Sequence, residues 1–215
     1  GGIFWDGSYI TSKILLEHYV NTDNLNILEL GSGTSLPSLA CLMKSKNSHI
    51  VISDIDKTKQ LRELIINDNK HNFIGIAHNI NLDFESKDDR LNVVKIFNNN
   101  PIDLIICSEL IYLDELFDSI IDTIKYFCSE ETKVILTYRE RLPEQIKDLG
   151  GLRILHKYYK DITDSWQTFL KIKNGLIDEY SIGYDVIDSE VKDGVRLLTE
   201  MWLIEFSPVL IDRKS

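Results

Sequence analysis

Short apolar runs alternate with segments of helical periodicity along most of the chain, and this alternation constrains the fold more than any other feature. Residues 25–30 form an apolar run that ends at Gly31, and apolar positions then recur at helical spacing over residues 36–43. Further strands are predicted at residues 49–53, 73–77, 102–107, 133–138, 152–158 and 200–206. Further helices are predicted at residues 57–70, 113–127 and 142–149. Strands joined in this way by helices form a mostly parallel sheet covered on both faces, so the sequence predicts an α/β fold.

The whole chain, residues 1–215, is expected to form one domain. A chain of 215 residues can bury a sizeable core, and it contains no linker rich in Ser, Pro or Gly and no internal repeat. Residues 1–20 are predicted to be an N-terminal helical segment. Residues 160–198 are ambiguous and are interpreted as an insertion, with a hairpin of strands at 166–172 and 180–186.

Composition narrows the range of partners and locations. Lys and Arg number 24 against 34 Asp and Glu, a formal net charge of -10 with no dense basic stripe, so nucleic acid is not an expected partner. The chain has neither a leader-like start nor an apolar stretch near the roughly 20 residues that span a bilayer, so no membrane association is expected. Three cysteines without a C-x-x-C motif and scattered histidines predict no metal site and a reducing compartment. We expect a monomer in the cytoplasm, with the nucleus as a second location.

The loop that follows the first predicted strand is typical of a nucleotide-binding site. The loop Gly31-Ser32-Gly33 allows a tight turn, but Leu36 occupies the position of the third glycine in the dinucleotide motif. Asp54 ends the next strand, where a carboxylate can accept hydrogen bonds from a ribose diol. Glu29 lies two residues before the loop, where a carboxylate would repel a pyrophosphate but suits an ammonium group and a sulfonium. These residues favour S-adenosylmethionine over NAD.

Two later motifs supply further candidates at predicted strand ends. Asp83 and Phe84 follow the third strand, where the carboxylate could accept from an adenine amine and the ring could stack. The alternative is a capping Asp and a core Phe. Glu109 and Tyr112 follow the fourth strand and, placed beside a cofactor, form a candidate acceptor site. Taken alone, Glu109 could equally be a solvated loop acid and Tyr112 a packing residue.

Together these motifs resemble the seven-strand S-adenosylmethionine-dependent methyltransferases. The resemblance covers nearly the whole chain. Within this fold, the chain most resembles the branch of protein lysine methyltransferase-like enzymes called methyltransferase family 16. The matching motifs are Trp5 in "FWDGS", the E-x-G-x-G-x-x-x-P loop of Glu29, Gly31, Gly33 and Pro37, the acidic Asp54, Leu82-Asp83 with Phe84 replacing Trp, and the [DE]-x-x-[YF] pair Glu109 and Tyr112. The segments "TYRER" at 137–141 and "TEMWLIEF" near the end are also similar.

The resemblance implies a Rossmann-like, doubly wound sheet of seven strands, mostly parallel, with the last strand antiparallel and helices on both faces. It also implies that S-adenosylmethionine is the cofactor. The expected pocket residues are Trp5, Glu29, Gly31, Ser32, Gly33, Asp54, Asp83, Phe84 and Ser108.

The expected function is transfer of a methyl group to a side-chain nitrogen of a protein, and lysine is the expected target residue. We hypothesise that Glu109 orients the incoming amine and that Tyr112 shapes its channel. Four alternatives remain open from the sequence: an arginine methyltransferase, a small-molecule methyltransferase, a nicotinamide-dependent oxidoreductase and a non-catalytic binding protein of the same fold.

Overall fold

A computed structural model describes residue 2, residues 4–110, 114–129 and 131–139, and the backbone of three short strands near the end of the chain. The strands are β1 (Asn26–Leu30), β2 (His49–Asp54), β3 (Ile76–Asn81), β4 (Leu104–Ser108), β5 (Lys133–Arg139), β6 (Val191–Lys192), β7 (Val195–Arg196) and β8 (Met201–Phe206). The helices are α1 (Asp6–Ile14), α2 (Leu36–Lys44), α3 (Lys59–Asn69), α4 (Lys87–Ile96) and α5 (Phe117–Phe127). A π-helical segment, Leu15–Tyr19, extends α1, and single 3₁₀ turns, Asp56–Thr58 and Asp114–Leu116, precede α3 and α5.

Six of these strands form one sheet, in the order β3-β2-β1-β4-β5-β8. The five strands from β3 to β5 are parallel, and β8 pairs antiparallel with β5. The chain runs outward from β1 through β2 to β3 and then returns to place β4 on the other side of β1. The strand order therefore reverses between β1 and β4, where ligands bind in open α/β sheets.

The core lies on both faces of the sheet, because successive side chains of a strand point to opposite sides. One face packs against α4 and α5 and includes Leu28, Leu30, Val51, Ile105, Cys107, Leu136, Val93, Phe97, Ile120 and Ile124. The other face packs against α1 and α2 and includes Ile27, Ile50, Ile52, Ile106, Ile135, Ile10, Ile14, Leu39 and Leu42. The predicted α/β fold, with a parallel sheet and helices on both faces, is thus confirmed.

Two elements differ from the prediction. The third strand is not at 73–77 but at Ile76–Asn81, and none of its residues is fully buried because it forms the edge of the sheet. Helix α4 was not predicted at all. Its only fully buried residue is Val93, so the apolar repeat that marks an amphipathic helix is missing.

After residue 139, the described residues all lie in strands. The predicted final strand at 200–206 is observed as β8, and β6 and β7 form a small antiparallel pair. The predicted helix at 142–149, the strand at 152–158 and the hairpin at 166–172 and 180–186 lie outside the described residues. A seventh strand in the main sheet therefore stays a prediction. Within the described part of the chain, no helix has the length and apolarity needed to cross a membrane.

Candidate functional site

The candidate site lies at the carboxyl ends of β1, β2 and β4, where the strand order reverses. The loop after β1 lies next to the residues that follow β4, and this contact explains why position 31 is a glycine. Gly31 has φ of 62°, and a Cβ there would lie 2.3 Å from Cδ1 of Leu110. Gly31 is therefore required both by the turn and by the close approach of the two strand ends.

The second glycine of the loop has a different environment. Gly33 has φ of 50°, and a Cβ added to it would meet no atom of the described residues within 4 Å. Its amide donates to Oδ2 of Asp54 over 2.8 Å, and the amide of Ile55 donates to Oδ1 over 2.7 Å. The loop is also joined to β2 by the amide of Ser32, which donates to the carbonyl of Ser53 over 2.9 Å. The structure thus brings the predicted glycine loop and Asp54 together beside space that no described residue fills.

Glu29 lies beneath this loop and is 1% exposed. Its Oε2 accepts the amide of Ser38 over 3.1 Å and also the hydroxyl of that residue. Its Oε1 has no hydrogen-bond partner among the described residues. Burial raises the pKa of Glu29 from 4.5 to about 8, against the lowering effect of the bonds from Ser38. The side chain is thus a carboxyl group with one oxygen engaged and one oxygen unsatisfied.

The bond to Ser38 also explains how α2 begins. Ser35 is the N-cap residue of α2, but it has φ of 62° and its side chain makes no capping bond to a described residue. Its hydroxyl instead lies 3.4 Å from that of Ser32. Glu29 therefore satisfies a first-turn amide of α2 in place of a capping side chain.

Glu109 occupies a comparable position after β4 and is 8% exposed. Its backbone lies in the left-handed region, with φ of 49°, which is uncommon for a residue other than glycine. Its Oε1 accepts the amide of Gly7, in α1, over 2.9 Å, and its own amide donates to the carbonyl of Thr137 over 2.9 Å. Glu109 is therefore held at the joint between α1, β4 and β5.

A cluster of hydroxyl groups lies beside Glu109. Ser108 Oγ is 3.3 Å from Thr11 Oγ1 and 3.4 Å from both Ser8 Oγ and Thr137 Oγ1. Thr11 and Thr137 are 2.9 Å apart and both are fully buried. These contacts attach α1 to the carboxyl ends of β4 and β5, and they place Ser108 in this joint.

Asp83 and Phe84 form a turn between β3 and α4. Asp83 is exposed, and its Oδ1 accepts the amide of Glu85 over 3.0 Å. Phe84 is half-buried and packs against the core on the α4 and α5 side. Its carbonyl accepts from Arg90 and, over 3.2 Å, from the hydroxyl of Thr123. These contacts match the alternative of a turn-forming Asp and a core Phe, and a role toward adenine stays a prediction.

Trp5 is the N-cap residue of α1 and is 43% exposed. Tyr112 lies outside the described residues, as does Arg141 at the end of the "TYRER" segment. Of the catalytic pair expected from the sequence, the structure therefore places only Glu109.

Sequence reasoning missed Arg62, which is fully buried on α3. Its Nε donates to Asn79 Oδ1 over 2.7 Å, and its Nη atoms donate to the carbonyls of Ile55 and Ile80 and to Thr58. It thereby fixes the turn that follows Asp54. A lone Arg on a helix gives no sequence signal of burial, because arginine at such positions is normally exposed.

The described residues at this site fit the expected cofactor. The unsatisfied Oε1 of buried Glu29 suits a donor such as an ammonium group. The open space beside Gly33 admits a ligand close to the backbone, and Asp54 at its rim retains lone pairs for hydroxyl donors. These acceptors fit an amino acid joined to a ribose, whose ammonium and hydroxyl groups are donors. Among the described residues, no group of three His, Cys, Asp or Glu side chains could hold a metal ion.

A family model described as lysine methyltransferase matches residues 1–151, a range that contains every candidate residue from Trp5 to Tyr112. A second model, described as Caudovirus prohead serine protease, matches residues 131–212. The second match covers less than half of the chain and overlaps the first over 131–151, so it supports no family assignment.

Individual relatives are similar to this chain at low identity. The protein N-lysine methyltransferase METTL21A of Danio rerio is 23% identical over 151 residues, covering 70% of this chain and 66% of the relative. METTL21A of Xenopus tropicalis is 22% identical over 167 residues, covering 75% of this chain and 73% of the relative. Among solved structures, PKMT2 from Rickettsia typhi is similar over 66% of this chain and 27% of that chain, with 15% identity and a TM-score of 0.45.

Proposed function

Since the chain belongs to the lysine methyltransferase family, we propose that it transfers a methyl group from S-adenosylmethionine to a lysine side chain of a protein. The observation that carries this proposal is the match over residues 1–151, because it includes the glycine loop, the acidic strand ends and Glu109. The relatives named as protein N-lysine methyltransferases support a protein acceptor.

When bound, S-adenosylmethionine supplies a methyl group on a sulfonium, and the nitrogen–carbon bond forms as the sulfur–carbon bond breaks. The chain's own residues bind and orient the reactants. In this proposal, the ammonium group of the bound cofactor favours the ionised form of Glu29, whose Oε1 then accepts from that ammonium. Asp54 accepts from the ribose hydroxyls. The pocket is completed by Trp5, Gly31, Ser32, Gly33, Asp83, Phe84 and Ser108.

Glu109 is proposed to orient the incoming amine, and Tyr112 to shape its channel. A lysine amine has a reference pKa near ~10.4, so it must lose a proton before attack. A carboxylate beside the amine favours the charged ammonium form. The proton therefore passes to water, and Glu109 acts as a hydrogen-bond acceptor that fixes the direction of the nitrogen.

We also propose the kind of partner and the location of the protein. The formal net charge of -10 is complementary to a basic segment around the acceptor lysine. We propose a monomer that acts in the cytoplasm, and also in the nucleus, without a nucleic-acid or membrane partner.

Transfer of a labelled methyl group into a cell lysate, followed by mass spectrometry of the labelled band, tests this function. Label on a lysine is the expected result. Label on arginine would correct the target residue, and label confined to small molecules would overturn the protein acceptor. Binding of S-adenosylhomocysteine without any transfer would indicate a non-catalytic protein.

The variant Glu109→Gln tests the proposed role of Glu109, because it keeps the size of the side chain and removes its charge. We expect it to bind S-adenosylhomocysteine as the wild type does and to transfer methyl groups at least tenfold more slowly. Unchanged turnover would remove the proposed role of Glu109.

A further inference from the structure

Helix α1 begins without a capping side chain of its own. In the described part of the chain, its N-cap residue, Trp5, makes no side-chain capping bond. The first amides of any helix have no partner within the helix. The amide of Gly7, in the first turn, instead donates to Oε1 of Glu109 over 2.9 Å. The two residues are 102 positions apart, so Glu109 caps α1 across the fold.

Glycine at position 7 is required by space rather than by backbone conformation. Gly7 lies in the helix, and its φ is not in the left-handed region. A Cβ at this position would lie 2.4 Å from Cγ and 2.5 Å from Oε1 of Glu109. Any larger residue would therefore push the Glu109 side chain away from its present place.

The backbone on both sides of this contact is also fixed. The amide of Glu109 is bonded to the carbonyl of Thr137 over 2.9 Å. Thr11, one turn along α1 from Gly7, is bonded to Thr137 over 2.9 Å and donates to the carbonyl of Gly7 over 2.6 Å. The α1 backbone and the Glu109 backbone are thus both anchored on β5, and the Gly7–Glu109 bond joins two fixed points.

We propose that Gly7 is a positioning residue for the acceptor site, which sets the direction of the Glu109 carboxylate through its amide and through its missing side chain. This inference rests on the proposed role of Glu109 toward the incoming amine. One carboxylate oxygen is held by the helix, so the group is oriented before the acceptor arrives. Orientation of this kind matters because a misplacement of about 1 Å can lower a rate by roughly 100-fold.

A double-mutant cycle with Gly7→Ala and Glu109→Ala tests the proposal. The readouts are the initial rate of labelled methyl transfer into lysate protein at saturating S-adenosylmethionine, and the affinity for S-adenosylhomocysteine. We expect Gly7→Ala alone to lower the rate at least tenfold while leaving the affinity for S-adenosylhomocysteine within about twofold. In the Glu109→Ala background, Gly7→Ala should lower the rate no further, because no carboxylate remains to be displaced.

Ser12→Ala is the matched control on the same helix. The Ser12 hydroxyl donates only to the carbonyl of Ser8 in the described part of the chain, so its loss should leave the rate unchanged. Equal fold losses from Gly7→Ala in both backgrounds would overturn the positioning role. Full activity of Glu109→Ala would overturn the role of Glu109 and leave methyl transfer itself standing, whereas absence of transfer by the wild type would overturn the proposed function.

A second measurement needs neither a substrate nor the Gly7 variant. Hydrogen exchange of the Gly7 amide should be at least tenfold faster in Glu109→Ala than in the wild type, because its acceptor has been removed. The amides of residues 10–14, which bond within α1, should exchange as before. Equal exchange of the Gly7 amide in both proteins would show that the bond does not form, and it would overturn the proposal.

Discussion

Two buried glutamates at strand ends act as caps for helices that lack a capping side chain. Glu29 accepts the amide of Ser38 in the first turn of α2, and Glu109 accepts the amide of Gly7 in α1. Such a cap contributes about 1 kcal/mol to a helix. Each carboxyl group therefore stabilises the local structure in addition to any contact with a ligand.

The raised pKa of Glu29 predicts that the protein loses stability as the pH rises. With a pKa of about 8 in the folded state and 4.5 as its ordinary value, Glu29 retains a proton on folding between these two pH values. The folded state then binds more protons than the unfolded state, so the free energy of unfolding falls as pH rises. We expect Glu29 to contribute a loss of about 3 kcal/mol between pH 5 and pH 8.

Urea unfolding at a series of pH values, on the wild type and on Glu29→Gln, measures this contribution. The amide does not titrate, and its carbonyl can still accept from Ser38. The difference in free energy of unfolding between the two proteins should therefore shift in favour of the variant from pH 5 to pH 8. A difference that stays constant with pH would contradict the raised pKa.

The helices and strands that could be predicted from the sequence are those with a strong apolar pattern. Strands β1, β2, β4 and β5 lie within two residues of their predicted positions because their central residues are fully buried. The edge strand β3 was displaced and α4 was missed, because neither has a continuous buried face. The residues Glu29, Gly33, Asp54 and Glu109 could be placed at strand ends from the sequence. Their partners in α1 and α2 could not, because these contacts depend on tertiary packing.

Arg62 shows how one side chain joins several elements on the side of Asp54. From α3, its guanidinium donates to Ile55 and Thr58 in the turn after β2, and to Asn79, Ile80 and Asn81 in β3. Burial lowers the pKa of Arg62, while the nearby Asp54 and Asp56 carboxylates oppose this shift. The charge is thus kept in a buried position by hydrogen bonds and by neighbouring acids.

We predict that Arg62→Met lowers the free energy of unfolding by about 3 kcal/mol, because it leaves several acceptors without donors. Arg62→Lys should recover little of the loss, since an ammonium cannot reach all of these acceptors with the geometry of a guanidinium. Urea unfolding of the three proteins gives the comparison. A loss below about 0.5 kcal/mol in Arg62→Met would show that the network does not stabilise the turn.

The site depends on the order of the strands in the sheet, β3-β2-β1-β4-β5-β8. The reversal of strand order between β1 and β4 brings together residues from distant parts of the sequence. For example, Leu110 occupies the space that a side chain at position 31 would need. The alternation of elements predicted a covered parallel sheet but not this order. A ligand that contacts β1, β2 and the segment after β4 would hold both halves of the sheet together.

Ligand binding at this site should therefore stabilise the whole fold. At 100 times its dissociation constant, S-adenosylhomocysteine should add about 2.7 kcal/mol to the free energy of unfolding. For a chain of this size, that gain corresponds to a rise of roughly 5–10 °C in Tm. NAD at the same concentration should not raise the Tm. The unsatisfied oxygen of Glu29 can accept from a donor such as an ammonium group, and a pyrophosphate has no such donor.

Gly33→Leu supplies the control for this measurement, because a Cβ at that position would meet no described residue within 4 Å. Without ligand, the variant should lose only about 1–2 kcal/mol, the cost of a left-handed conformation for a residue with a side chain. With S-adenosylhomocysteine, its Tm should not rise, since the leucine would occupy the volume that the ligand needs. A full rise in the variant would place the ligand elsewhere on the protein, and a rise with NAD alone would contradict the choice of cofactor.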